Sequence, residues 1–176
     1  KYCKKKSGNP DIEIIDKYIV KFKYQGLDFK GELDRIIIDH KNKTITPIDF
    51  KTTSKSVLSF EKDFWYYRYD FQAAVYSWGL TSDTNEPLQK LYKDGYSFKP
   101  FLYIVVETHL NNPPMVFRIR KSAIDIGLFG GEREGKKYEG FNDAIKRYKY
   151  ANKNNAWEYP MEYYKNEGLN NIMVIR

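Results

Sequence analysis

The sequence has one cysteine, Cys3, among 176 residues. A lone thiol forms no intrachain disulfide and builds no thiolate zinc or iron–sulfur centre within the chain. No apolar run approaches the ~20 residues of a membrane-spanning helix, and no secretory signal is visible, so the expected location is the cytoplasm. Internal repeats and low-complexity linkers are also missing, which predicts a single domain over residues 1–176. Histidine is scarce: His40 and His109 both fall at the edges of expected loops, where a surface position is expected over a ligand role.

What is abundant is positive charge and aromatic rings. The formal net charge is +7, and aromatic residues make up 17% of the chain, with sixteen tyrosines. A basic balance favours an anionic partner and is consistent with nucleic acid. Tyrosines can stack on bases, but most are expected to pack. The length suffices for a full core.

The most informative stretch runs from Gly31 to Tyr76 and contains GELDRIIID, TPIDFKTT and YDFQAAVY. Residues 43–52 have strand composition, with Pro47 near the entry, where a missing N–H is tolerated. Side chains alternate along a strand, so Asp49 and Lys51 share one face and Phe50 takes the other. The strand before it, 27–39, carries Asp34, and a hairpin through HKNK brings Asp34 near Asp49. Two adjacent carboxylates repel unless a cation neutralises them, and a hard ion such as Mg²⁺ does so through oxygen ligands.

The other elements follow from periodicity. Residues 12–24 alternate as a half-buried strand ending in a Gln25-Gly26 turn, which completes a three-stranded meander. Residues 60–80 read as one helix with Ser59 as N-cap. Its apolar face is expected at Phe64, Tyr67, Phe71, Val75 and Trp78, with Gln72 and Tyr76 on another flank. Arg68, one turn before Gln72, points either along that flank or to a nearby acid. A loop with a helical turn at 88–92 leads to a buried strand at 101–106, expected parallel to an earlier strand through a crossover. Residues 115–120 pair with it. Helical pieces at 123–129, with Ser122 as cap, and 140–152 are interrupted by GGEREG. Residues 1–10 read as a flexible basic arm, and the last residues as a short strand or extended end. The predicted class is α/β: a central mixed sheet, antiparallel meander plus crossover strand, flanked by helices.

Taken together, Gly31-Glu32-Leu33-Asp34, Asp49-Phe50-Lys51 and Gln72-Ala73-Ala74-Val75-Tyr76 resemble the GxxD, DxK and QxxxY pieces of the PD-(D/E)xK nucleases, most closely the RecB-type and phage RecE-type exonucleases. DxK alone is common by chance; the specificity lies in the three pieces in order on strand, strand and helix. The resemblance implies a restriction-endonuclease-like fold and Mg²⁺- or Mn²⁺-dependent hydrolysis of DNA. It makes Asp34, Asp49 and the carbonyl of Phe50 metal ligands and Lys51 catalytic, with Gln72 and Tyr76 supporting the site and contacting DNA. It further implies 5′→3′ exonuclease action in phage-type recombination, ring-like homo-oligomers and a single-strand annealing protein as partner. The family's glutamate or histidine on a helix before the first strand has no counterpart in residues 1–10, so that helix is expected upstream of a fragment, with Glu32 as a fallback ligand. Glu107, followed by paired prolines, resembles a RecE-type segment and is read as either a site or a loop-forming residue. The loop Thr52-Thr53-Ser54-Lys55-Ser56 is read as either a phosphate contact or an internally bonded loop. Two rivals stand beside the exonuclease: an inactive DNA-binding module of the same fold, and an endonuclease of restriction or repair type.

Overall fold

The computed structural model describes residues 3–6, 8–109 and 112–167. β1 (Cys3–Lys6), β2 (Ile12–Tyr24), β3 (Leu27–Asp39) and β4 (Thr44–Thr53) form an antiparallel meander. Gln25 and Gly26 both have positive φ, 47° and 80°, the type I′ pattern whose twist matches a tight hairpin. A 3₁₀ turn (Val57–Ser59) then leads to α1 (Phe60–Tyr66), α2 (Tyr69–Thr81) and α3 (Glu86–Lys93). The chain returns through β5 (Ser97–Phe98) and β6 (Leu102–Glu107), both parallel to β4, and β7 (Met115–Arg118) closes antiparallel on β6. α4 (Lys121–Phe129), a hairpin of β8 (Gly131–Arg133) and β9 (Lys136–Tyr138), α5 (Phe141–Asn154) and α6 (Met161–Lys165) follow. The main sheet runs β1-β2-β3-β4-β6-β7, with β5 beside the start of β4. The expected mixed sheet, an antiparallel meander plus a parallel crossover strand flanked by helices, is present.

Several local expectations are corrected. The single helix at 60–80 is two helices, because Arg68 adopts a left-handed conformation with φ 59°. The break rotates the second half, so α2 buries Asp70, Ala73, Ala74, Gly79 and Leu80, while Tyr67 and Trp78 are exposed. Small residues are needed there because α2 lies between the sheet and α4. A Cβ on Gly79 would sit 2.8 Å from the Phe22 ring of β2, and one on Gly127 of α4 would sit 2.3 Å from the Asp70 carbonyl oxygen. Ser59 does occupy the N-cap of α1, as expected, but makes no side-chain capping bond; Ser56 accepts from the Leu58 N–H at the start of the 3₁₀ turn. Arg120, not Ser122, occupies the N-cap of α4. Residues 3–6 of the supposed arm pair with β2. The expected closing strand falls in 168–176, outside the described residues.

Two features of the sheet position the site. First, β3 and β4 share rungs only from Arg35↔Ile48 to Asp39↔Thr44, whereas β4 and β6 share rungs from Ile48↔Leu102 to Thr53↔Glu107. The sheet therefore divides at Ile48, and Asp34 and Asp49 lie one step into the fork. Arg35 secures its last shared rung. Its guanidinium pairs with both oxygens of Asp16, at 2.6 and 3.2 Å, and sits 5.2 Å from the Phe50 ring. Second, the buried positions fall out of phase at one rung. On β2 they are Ile15, then Tyr18, Val20, Phe22 and Tyr24; on β3 they are Leu33, then Ile36 and Ile38. Ladder register is kept on both sides, Asp16↔Arg35 and Tyr18↔Leu33, but the intervening Lys17–Asp34 rung is unpaired. Lys17 has φ 56°. A left-handed conformation costs an ordinary residue about 1–2 kcal/mol. Here the surroundings impose it: Ile15 and Tyr18, three apart, are both buried, and the Tyr18 hydroxyl donates to buried Asp83 at 2.6 Å.

Candidate active site

The fork brings the predicted residues together. Phe50 N–H, with no β3 carbonyl opposite it, donates to Asp34 Oδ2 at 2.9 Å. The Asp34 carboxylate thus replaces the rung that the diverging strands have lost, and it lies against the residue after Asp49. A residue's N–H and C=O point to the same edge of a strand, so the Phe50 carbonyl also opens toward the fork. Asp34 Oδ1 accepts from Lys17 Nζ at 2.7 Å.

Asp49 is more enclosed, its side chain 5% exposed. Gln72 Nε2 of α2 donates to its Oδ1 at 3.3 Å. Lys51 Nζ approaches its Oδ2 to 2.5 Å, a buried ion pair. The Lys51 ammonium is itself seated 4.7 Å from the centre of the Tyr69 ring and 5.4 Å from that of Tyr103, where ring quadrupoles favour a cation. Tyr103 is fully buried, and its hydroxyl is 2.9 Å from the Tyr69 carbonyl oxygen and 3.3 Å from Gln72 Oε1. The single Tyr103 proton is shared between these two acceptors, the Tyr69 carbonyl being the nearer, while the Gln72 amide nitrogen rests on Asp49.

Tyr76 ties the helix to the strand carrying Asp34. Its hydroxyl donates to the Glu32 carbonyl at 2.9 Å, and its ring stacks near Phe101. A Cβ on Gly31 would lie 2.7 Å from Tyr76 Cε1. The glycine of GxxD and the tyrosine of QxxxY are thus one contact seen from two sides.

The two acids titrate in opposite directions. Burial pushes the Asp49 carboxyl up, and the neighbouring Lys51 offsets this only in part. For Asp34, burial also pushes upward, but the hydrogen bonds from Lys17 and the Phe50 N–H, with the Lys51 charge, outweigh it and hold the carboxyl below its ordinary range. Burial raises the Tyr76 and Tyr103 phenols, so both remain neutral donors.

The donor set suits a hard divalent ion: the Asp34 and Asp49 carboxylates and the Phe50 backbone carbonyl. Mg²⁺ ordinarily keeps several waters, so few protein ligands suffice. Among the described residues no cluster of three or more His, Cys, Asp or Glu is placed to hold a metal. Glu32, the fallback ligand, is half exposed and meets the site through Lys17, 3.7 Å away.

Other candidates lie elsewhere. Arg68 turns from Gln72 to pair with fully buried Asp70, at 3.0 and 3.1 Å. Glu107 accepts from the Val57 N–H and the Asn112 side chain, so it anchors the 3₁₀ turn. The 52–56 loop bonds internally: Thr53 Oγ1 accepts from Lys55 N, and Lys55 Nζ pairs with Asp63 at 2.6 Å. His40 contacts Tyr96 and Glu13, away from these acids. Sequence reasoning missed Lys17, Tyr69 and Tyr103. For Lys17 a signal existed, since apolar positions step by two from Tyr18 to Tyr24 but by three from Ile15 to Tyr18. For the tyrosines none did, because their neighbours come from the crossover.

No described helix is long and apolar enough to cross a membrane. The family model of the PD-(D/E)XK nuclease superfamily matches residues 4–156. A solved structure from Eubacterium rectale, named "Putative exonuclease", is similar at 15% sequence identity with a TM-score of 0.40. The similarity covers 62% of this chain and 38% of that one. No curated protein matches.

Proposed function

We propose, on the premise that the chain belongs to the PD-(D/E)XK nuclease superfamily, that it is a metal-dependent deoxyribonuclease, most like the RecE-type 5′→3′ exonucleases. The observation that carries this reading is the fork, where Asp34 reaches the Phe50 N–H beside Asp49 and Lys51 rests on Asp49. Asp34, Asp49 and the Phe50 carbonyl would hold Mg²⁺ or Mn²⁺. Such an ion polarises the scissile phosphate and lowers the pKa of a bound water. Lys51, seated on two rings, orients the attacking water and offsets charge developing on the phosphate oxygens. Gln72 fixes the Asp49 carboxylate, and Tyr76 fixes the strand that carries Asp34. Exonuclease polarity, ring assembly and an annealing partner rest on the resemblance alone.

The rival is a binding module of the same fold: among the described residues two acids line the fork, and Glu32 meets them only through Lys17. A single assay separates the readings. End-labelled linear DNA and closed circular DNA are incubated with Mg²⁺ and either the wild type or Asp49→Ala. Loss of linear DNA alone, abolished in the variant, is the expected result. Cutting of circles makes the protein an endonuclease, and binding without cutting makes it a module. Undiminished activity in Asp49→Ala removes this mechanism.

A further inference from the structure

The residue least explained by the site as described is Lys17. It occupies the one unpaired rung within the β2–β3 ladder and holds a left-handed conformation inside a strand. Its ammonium reaches back over that rung to Asp34 Oδ1 at 2.7 Å and to Glu32 Oε1 at 3.7 Å, while its side chain stays 63% exposed. With Asp34 Oδ2 already taken by the Phe50 N–H, Oδ1 is the oxygen left to face an ion, and Lys17 is on it.

We propose that Lys17 is a built-in counter-ion for the metal pocket: its ammonium holds Asp34 when the divalent ion is away, and the ion displaces it on binding. This inference rests on the metal-site reading of Asp34 and Asp49. The chemistry is cation exchange with no bond broken; a monovalent ammonium leaves the carboxylate and a divalent ion takes the oxygen. The pair needs such a substitute because ionised Asp34 and Asp49 repel each other, and Lys51 contacts Asp49 directly but reaches Asp34 only through its charge. A left-handed residue suits the task because Ile15 and Tyr18 are both buried while Lys17 between them is not, so the flipped position projects a long, solvent-exposed arm. The arm can swing into water, so displacement requires no more than breaking an exposed ion pair.

The magnitude follows from that exposure. Exposed pairs are weak, so removing this one should change affinity by no more than about fivefold. The test is titration of the metal-free protein with Mn²⁺, followed by the electron paramagnetic resonance signal of free Mn²⁺, for wild type, Lys17→Gln, Lys17→Arg and Lys17→Gly. Lys17→Gln should bind Mn²⁺ about fivefold tighter and melt lower than wild type without the ion. Lys17→Arg should bind as wild type does, because the charge remains. Lys17→Gly relieves the backbone as well as removing the charge; tightening in Lys17→Gly but not in Lys17→Gln would assign the effect to the backbone and overturn the proposal. Unchanged or weaker Mn²⁺ binding in Lys17→Gln, with normal binding by wild type, overturns it and leaves the metal site standing. Failure of every protein to bind Mn²⁺ overturns both.

Discussion

Replacing Gly31 by alanine tests whether the strand and helix motifs are a single packing unit. The new Cβ would lie 2.7 Å from Tyr76 Cε1, and ordinary contact begins near 3.4 Å, so the ring must retreat by about 0.7 Å. The ring has little freedom to do so. Its hydroxyl is bound to the Glu32 carbonyl at 2.9 Å, and a retreat of that size along the bond would take it beyond hydrogen-bonding distance. Overpacking costs typically 1–3 kcal/mol, and losing the hydroxyl's bond adds about 1 kcal/mol. Reduced freedom of the unfolded chain returns about 0.4–1 kcal/mol. The expected net loss is roughly 1–3 kcal/mol, or about 2–10 °C in Tm for a chain of this size. The assay is urea unfolding of the wild type, Gly31→Ala, Tyr76→Ala and the double variant. With the ring gone the alanine keeps only an ordinary 3.5 Å contact with Val20, so the double variant should be no less stable than Tyr76→Ala. A coupling of at least ~1 kcal/mol is expected. Additive losses, or a harmless Gly31→Ala in the wild-type background, would refute the reasoning.

Two further substitutions separate structural acids from catalytic ones. Burial pushes the Glu107 carboxyl up, but donors from Asn112, the Val57 N–H and Ser56 outweigh it and hold the group below its ordinary range. A depressed carboxyl contributes stability that is present above the unfolded-state value of 4.5 and lost as pH falls through its folded value. Glu107→Gln should therefore be less stable than wild type at neutral pH, with the gap closing below about pH 4, while DNA cleavage per folded molecule is retained; a constant gap by thermal melts across pH would count against this assignment. Asp70→Ala leaves Arg68, a third exposed and still bonded to the Glu139 carbonyl, without its buried partner and should cost about 1.5–3 kcal/mol in urea unfolding; a loss under 1 kcal/mol would show that the pair is dispensable.

The elements that rest on local periodicity were legible. β2, β3 and β4 read as strands because their alternation and turn residues are local signals, and the parallel β6 followed from a buried run after a helix. The break at Arg68 was not legible, because residues 60–80 keep helical spacing through it; only burial of Asp70 and the contact of α4 with α2 demand the turn. The same misreading displaced the apolar face, since spacing favours large residues while a helix pressed between two layers requires Ala73, Ala74 and Gly79. In the site, Asp34, Asp49, Lys51, Gln72 and Tyr76 were selected by motif order, and the geometry brings them together; their chemical roles await the assays above. The rings under Lys51 were hidden because Tyr103 arrives from 52 positions later. The unpaired rung at Lys17 left a trace in the sequence, yet a single irregular step carries little weight without knowing what lies on each side of it.

The division of the sheet at Ile48 also bears on how the protein acquires its shape. Asp34 sits on a hairpin that forms from neighbouring residues, but the end of β4 bearing Asp49 and Lys51 is held on one side only, by β6. That partner is synthesised some fifty residues afterwards, and pairings between distant segments close late. A nascent or partly collapsed chain therefore carries both acids without the framework that sets them against each other. The convergence of Asp34, Asp49 and Lys51 belongs to the finished tertiary structure, not to the motif-bearing segment alone.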